Sequence, residues 1–65
     1  MIEDKYKLSN EEDLKHAMFI TDLTEMEIEA IVGRVDGKLR GEVIAYQTGK
    51  VEIRDSKTKK VLWRL

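Results

Sequence analysis

Apolar side chains recur along this chain at two spacings, and the order in which the spacings appear outlines its elements. Leu14, Ala17 and Met18 fall at i, i+3 and i+4, a narrow helical stripe. Ahead of them Ser9-Asn10-Glu11-Glu12 has capping-box spacing. The serine hydroxyl accepts from the third helical amide there while the glutamate reaches back to the serine's own amide. A short helix over residues 10–19 follows, with Thr21 and Asp22 in a turn.

The next segment carries both periods. Thr24-Glu25-Met26-Glu27 is a second capping box, Leu23 and Ile28 stand at staple positions, and Ile28, Ile31, Val32 and Val35 repeat helically. Met26, Ile28, Ala30 and Val32 also alternate with Glu25, Glu27, Glu29 and Ile31, the period of a half-buried strand. Asp36-Gly37 lies between this segment and a second apolar run, a strong hairpin signal because both central residues of a type I′ turn need positive φ. Folding back on that turn sets Val32 opposite Gly41, Ala30 opposite Val43, Ile28 opposite Ala45 and Met26 opposite Gln47. One face becomes almost wholly apolar, which favours a strand over residues 26–35.

Further on, residues 39–47 include Val43-Ile44-Ala45-Tyr46, apolar on both faces as in a central strand. Thr48-Gly49 turns the chain, residues 50–54 alternate cleanly, and Val61, Trp63 and Leu65 form a last strand over residues 61–65. Gly33 and Gly41 inside strands predict bulges or sharp bends and hence a curved sheet. The expected fold is α+β: a short N-terminal helix followed by a curved four-stranded antiparallel β-meander, one small domain over residues 1–65. The alternative is an αα-hairpin plus a three-stranded antiparallel sheet.

With 65 residues, such a domain buries only about 60% of the surface of its unfolded chain. Small domains commonly add a disulfide, a metal or a partner subunit. There is no cysteine, and a metal site would need His16 and carboxylates alone, so no metal and no cofactor is expected. Self-association remains, with a dimer favoured among homo-oligomers. No run approaches the roughly 20 apolar residues of a membrane helix, and the N-terminus lacks the plan of a signal peptide. No membrane partner and a cytoplasmic location are the default expectations.

The net charge of −1 conceals a division along the chain. Residues 1–32 hold nine acidic side chains against three lysines, and residues 33–65 hold nine basic against four acidic. Either the halves complement each other, within one fold or across a dimer, or the basic half presents a surface to nucleic acid or an acidic partner. Near-neutral total charge and screening favour the first reading. The second has a defined candidate track: Lys38, Arg40, Lys50, Arg54, Lys57, Lys59 and Lys60, with Tyr46 as a stacking surface. Trp63 reads better as a core anchor because it alternates with Val61 and Leu65.

Catalytic patterns are weak. Ser9, His16 and Asp13 or Asp22 supply the residue types of a triad, but Ser9 reads as a helix cap and stands in no nucleophile motif. His16 reads as an ordinary surface residue, and Glu25, Glu27 and Glu29 as a solvated face. The glycines at 33, 37 and 41 match neither the dinucleotide fingerprint nor the P-loop. An enzyme is the least expected outcome. From Ser9 to Asp55 the expected order of helix, strand, tight turn and glycine-bearing strand resembles the layout of Sm-like proteins, which form rings that bind RNA. That resemblance carries no site residues, because Gln47-Thr48-Gly49 lacks the asparagine of the family's uridine pocket and the chain ends before a fifth strand. The leading expectation is a non-enzymatic binding or interaction module acting as a homo-oligomer. A nucleic-acid-binding protein using the basic half comes second, and an acidic-faced inhibitor or adaptor of a protein partner third.

Overall fold

The segment expected as a strand over residues 26–35 folds instead as a helix, α2 (Glu25–Val32), followed by a two-residue strand, β2 (Arg34–Val35). The structure, a computed structural model, describes residues 3–65. Local chemistry decides the point. Thr24 Oγ1 accepts from the Glu27 amide at 3.2 Å, and the Glu27 carboxylate accepts from the Thr24 amide at 2.9 Å, which closes the capping box that the sequence spells out. Ile28 and Val32 are then buried and Ile31 packs against the core. Met26, which a strand would have turned inward, is 82% exposed.

The Asp-Gly turn is nevertheless present. Asp36 and Gly37 have φ of 54° and 78°, and β2 pairs with β3 (Lys38–Leu39) through Arg34↔Leu39 and Val35↔Lys38. That is the expected register, extended by one bond from the Arg40 amide to the Gly33 carbonyl at 3.2 Å. It stops there because the helix claims everything before Gly33. A strong turn signal therefore fixes its own hairpin without committing the residues upstream.

The vacancy beside the central strand is filled from the N-terminus. β1 (Glu3–Lys7) pairs antiparallel with β4 (Glu42–Tyr46), from Glu3↔Tyr46 to Lys7↔Glu42. β5 (Val51–Arg54) and β6 (Val61–Arg64) complete an open four-stranded antiparallel sheet in the order β1-β4-β5-β6. The fold is thus α+β, with a four-stranded antiparallel sheet beside the two-stranded β2–β3 hairpin, and it also contains the αα-hairpin of the alternative reading. With α2 in place of a first strand, the element order that resembled Sm-like proteins does not occur. The helix expected over residues 10–19 is α1 (Glu11–Thr21), and its cap is Asn10, whose side chain accepts from the Asp13 amide at 3.1 Å. Ser9 is released from the capping role. Asp22, at φ 60°, ends α1 with its amide on the Met18 carbonyl at 2.9 Å. Among the described residues no helix is long and apolar enough to cross a membrane.

Both helices cover one face of the sheet. Ala17 and Ile28 are fully buried against Val43, Val51 and Ile53, and Leu14, Met18, Tyr6 and Trp63 close the margins. Each fully buried aliphatic side chain contributes roughly 1.5–3 kcal/mol. Alternation puts Glu42, Ile44, Tyr46, Glu52 and Arg54 on the opposite face, which carries no helix. Opposite β6 the register of β5 shifts by one residue between Ile53 and Arg54, leaving Leu62 as the extra residue.

Between the hairpin and the sheet the chain passes through Gly41, at φ 97°. A Cβ there would lie 2.9 Å from the Arg54 carbonyl oxygen and 2.9 Å from Val32 Cγ1. Gly49 has the same φ of 97° with nothing within 4 Å of its own Cβ position, so the pair separates backbone strain from close approach. Gly49→Ala should cost about 1–3 kcal/mol through the backbone alone, and Gly41→Ala that amount plus the clash. Denaturant unfolding of the two variants measures the difference. Equal losses would contradict the packing at Gly41.

Candidate functional site

The residues that carry chemistry gather where the hairpin, the start of β4 and the connection between β5 and β6 meet. Asp55 shapes that connection. Its carboxylate accepts from the Lys57 and Thr58 amides at 2.8 and 3.0 Å, and its backbone exchanges bonds with Lys59 and Lys60 at 2.8 and 2.9 Å. The turn closes with Lys59 in the left-handed region at φ 64°. Ser56 Oγ then accepts from the Gly41 amide at 3.3 Å, which ties the turn to β4. On the other side Arg34 straps the hairpin to α2, reaching Glu29 at 2.7 Å, Glu25 at 2.9 Å and the Gly37 carbonyl at 3.1 Å.

Between these walls lies an open groove of about 820 Å³, lined by Lys7, Ser9, Val35, Asp36, Lys38, Leu39, Arg40, Gly41, Glu42, Ser56, Lys57 and Lys59. Five cations face two carboxylates. Two of the cations are held internally: Lys59 Nζ lies 2.9 Å from Glu42, and Arg40 lies 3.3 Å from Asp55. Lys7, Lys38 and Lys57 have no ion-pair partner among the described residues. Glu42 is only 5% exposed, so it anchors the Lys59 ammonium at the groove floor.

The structure divides the sequence-predicted track. Lys38, Arg40, Lys57 and Lys59 line the groove together. Lys60 lies outside its lining, and Lys50 stands in the exposed turn between β4 and β5, at the other end of β4. Tyr46 and Arg54 belong to a different assembly on the helix-free face. Tyr46 Oη donates to Glu52 at 3.0 Å and accepts from Arg54 Nη2 at 2.7 Å, while Arg54 and Arg64 both bond Glu52. Trp63 packs against the core. Sequence reasoning missed Lys7 and Ser9. Lys7 reaches the groove only because β1 pairs with β4, a contact that no local pattern announces.

The residue types of a triad serve other ends. The Asp13 carboxylate accepts from the Lys7 amide at 3.2 Å. His16 stacks on Tyr6 with centroids 5.7 Å apart, and its Nδ1 lies 3.0 Å from the Glu12 carbonyl, which, as an acceptor, makes that nitrogen the donor. Among the described residues no three His, Asp or Glu side chains converge as a metal site would require.

The carboxylate network has a pH signature. Burial pushes the Glu52 carboxyl up, but bonds from Tyr46, Arg54 and Arg64 and the Arg54 charge outweigh it and hold Glu52 below the usual glutamate range. The Thr58 and Lys57 amides lower Asp55, and the Thr24 amide lowers Glu27. A carboxylate lowered in the folded state stabilises above its unfolded pKa, about 3.9–4.3, and loses that contribution as pH falls through the folded value. Thermal unfolding between pH 7 and pH 2 should therefore show stability falling below about pH 4. Glu52→Gln should flatten that limb, and parallel limbs for the two proteins would contradict the role of Glu52. In comparisons with known proteins the chain matches no family model, no curated protein and no solved structure.

Proposed function

We propose that this protein is a small non-enzymatic binding module that receives the phosphate backbone of a nucleic acid in the groove between the β2–β3 hairpin and the β5–β6 turn. The observation that carries this reading is the convergence of Lys7, Lys38 and Lys57, from three separate parts of the chain, on one open groove without carboxylate partners among the described residues. Among the described residues, charge complementarity between the halves, the competing use of the basic residues, is confined to Arg34: the other ion pairs of residues 33–65 lie within that half. Ser9 and Ser56 add hydroxyl donors of the kind that phosphate oxygens accept from. Three ammonium contacts suit affinity in the non-specific range, a Kd of about 10⁻⁴–10⁻⁶ M at physiological salt.

The test is fluorescence anisotropy with a labelled mixed-sequence oligonucleotide. Lys38→Gln with Lys57→Gln should weaken binding about tenfold or more with thermal stability unchanged, since neither side chain has an ion pair to lose among the described residues. Lys50→Gln should leave binding intact, because β4 separates that turn from the groove by about 13 Å of strand. Undiminished affinity in the double variant would remove the groove as the site.

Exposed apolar residues favour a second reading, a protein interaction module that self-associates. Phe19 is 88% and Met26 82% exposed, on α1 and α2 on either side of their short connection, and Leu65 is 71% exposed at the end of the sheet. Phe19→Glu with Met26→Glu should convert such an oligomer to monomer in sedimentation experiments while the melting temperature of the monomer holds. A species that sediments identically before and after the substitutions would dismiss this patch as the interface.

A further inference from the structure

Resting on the nucleic-acid reading above, we infer that the ligand of the groove is a duplex, gripped through its phosphates without any stacking of bases. The argument comes from the four aromatic side chains of the chain, one Phe, one Trp and two Tyr. None lines the groove. Tyr46 lies outside it, its hydroxyl held between Glu52 and Arg54. Trp63 packs on the core, and Tyr6 lies against His16. Phe19 is exposed, but it stands in the last turn of α1, outside the groove lining. Arg40, whose guanidinium plane is the other stacking surface at the groove, is held by Asp55 at 3.3 Å.

Proteins that hold single strands without sequence preference depend on such platforms, because stacked bases supply much of their affinity and single strands release fewer counterions per contact. This groove offers ammonium groups and hydroxyls instead. Those are contacts to phosphate oxygens, which position a backbone and read no sequence. A duplex concentrates phosphates at about one charge per 1.7 Å of axis, so the same three lysines release more counterions from it than from a single strand. Asp36 and Glu42 also line the groove. Glu42 is spent on Lys59, and Asp36, at the hairpin tip, repels phosphate and marks the end of the track.

The 65-residue chain is titrated with one labelled duplex as DNA and as RNA, with each of the separated strands, and with heparin as a sulfated polyanion, from about 50 to 200 mM salt. With three phosphate contacts the slope of log K against log salt is about −2.7 for the duplex, an affinity loss of about 40-fold over that range, and about −2.1 for the strands, a loss of about 18-fold. Duplex should bind more tightly than either strand, with no dependence on sequence. Whichever of the DNA and RNA duplexes binds more tightly identifies the source of the backbone, and either one ahead of its strands supports the inference. Tighter binding of single strands, or a duplex slope no steeper than theirs, overturns it while leaving the nucleic-acid reading in place. Heparin bound as tightly as duplex overturns the duplex as the ligand. Absence of binding to every nucleic acid by the folded protein overturns both readings together.

Discussion

Four parts of the chain come within bonding or van der Waals distance of one residue without a side chain. At Gly41 the carbonyl accepts from the Leu8 amide where β1 ends, and the amide donates to Ser56 in the β5–β6 turn. Its α-carbon lies against the Arg54 carbonyl and the Val32 side chain so closely that a methyl group has no room. The end of the first strand, the last residue of the second helix, the end of the third sheet strand and the lysine-bearing turn are therefore fixed relative to one another. Leu8, Val32 and Leu39 bury their side chains in the same core cluster, so the constraint is at once polar and apolar. The groove exists because these segments meet there, and Lys7 and Lys57 face each other's surroundings only through that meeting.

The use of cations separates by residue type. All four arginines are in ion pairs: Arg34 on α2, Arg40 on Asp55, and Arg54 and Arg64 on Glu52. Among the described residues, Lys59 is the one lysine of eight so engaged. The rigid fork of a guanidinium suits fixed partners within a fold, whereas the ammonium is a hydrated point charge on a flexible stem. Arginine thus braces the hairpin, the turn and the helix-free face of the sheet, and lysine supplies the mobile positive charge around them. A module whose basic residues served only to neutralise its acidic helices would spend more than Arg34 on them.

How much of this was legible in the sequence follows the range of the interactions. Thr24 with Glu27, Asp36 with Gly37, and Val51 with Ile53 act over a few residues, and each yields its capping box, turn or strand where the pattern places it. The segment after Thr24 carries two periods at once, and the closed capping box makes it a helix, while the place beside β4 goes to another claimant. That claimant, Glu3-Asp4-Lys5-Tyr6-Lys7, has one apolar residue, so neither hydropathy nor turn chemistry marks it. It becomes a strand through backbone pairing with residues some forty positions away. The site shows the same boundary. Lys38, Arg40, Lys57 and Lys59 stand on the hairpin and the turn and line one groove, whereas Tyr46 and Arg54 are engaged by Glu52, a partner that their own local pattern does not announce.

The proposal that Lys7, Lys38 and Lys57, which have no ion-pair partner among the described residues, form a phosphate-binding groove is open to nitrogen-15 chemical-shift mapping with a short nucleic-acid duplex at low salt. The account predicts perturbations concentrated at Lys7, residues 38–42 and residues 56–59, which retreat together as salt is raised. Perturbations centred on Phe19 and Met26, or spread over Lys50 and Lys60 with the groove silent, would contradict it.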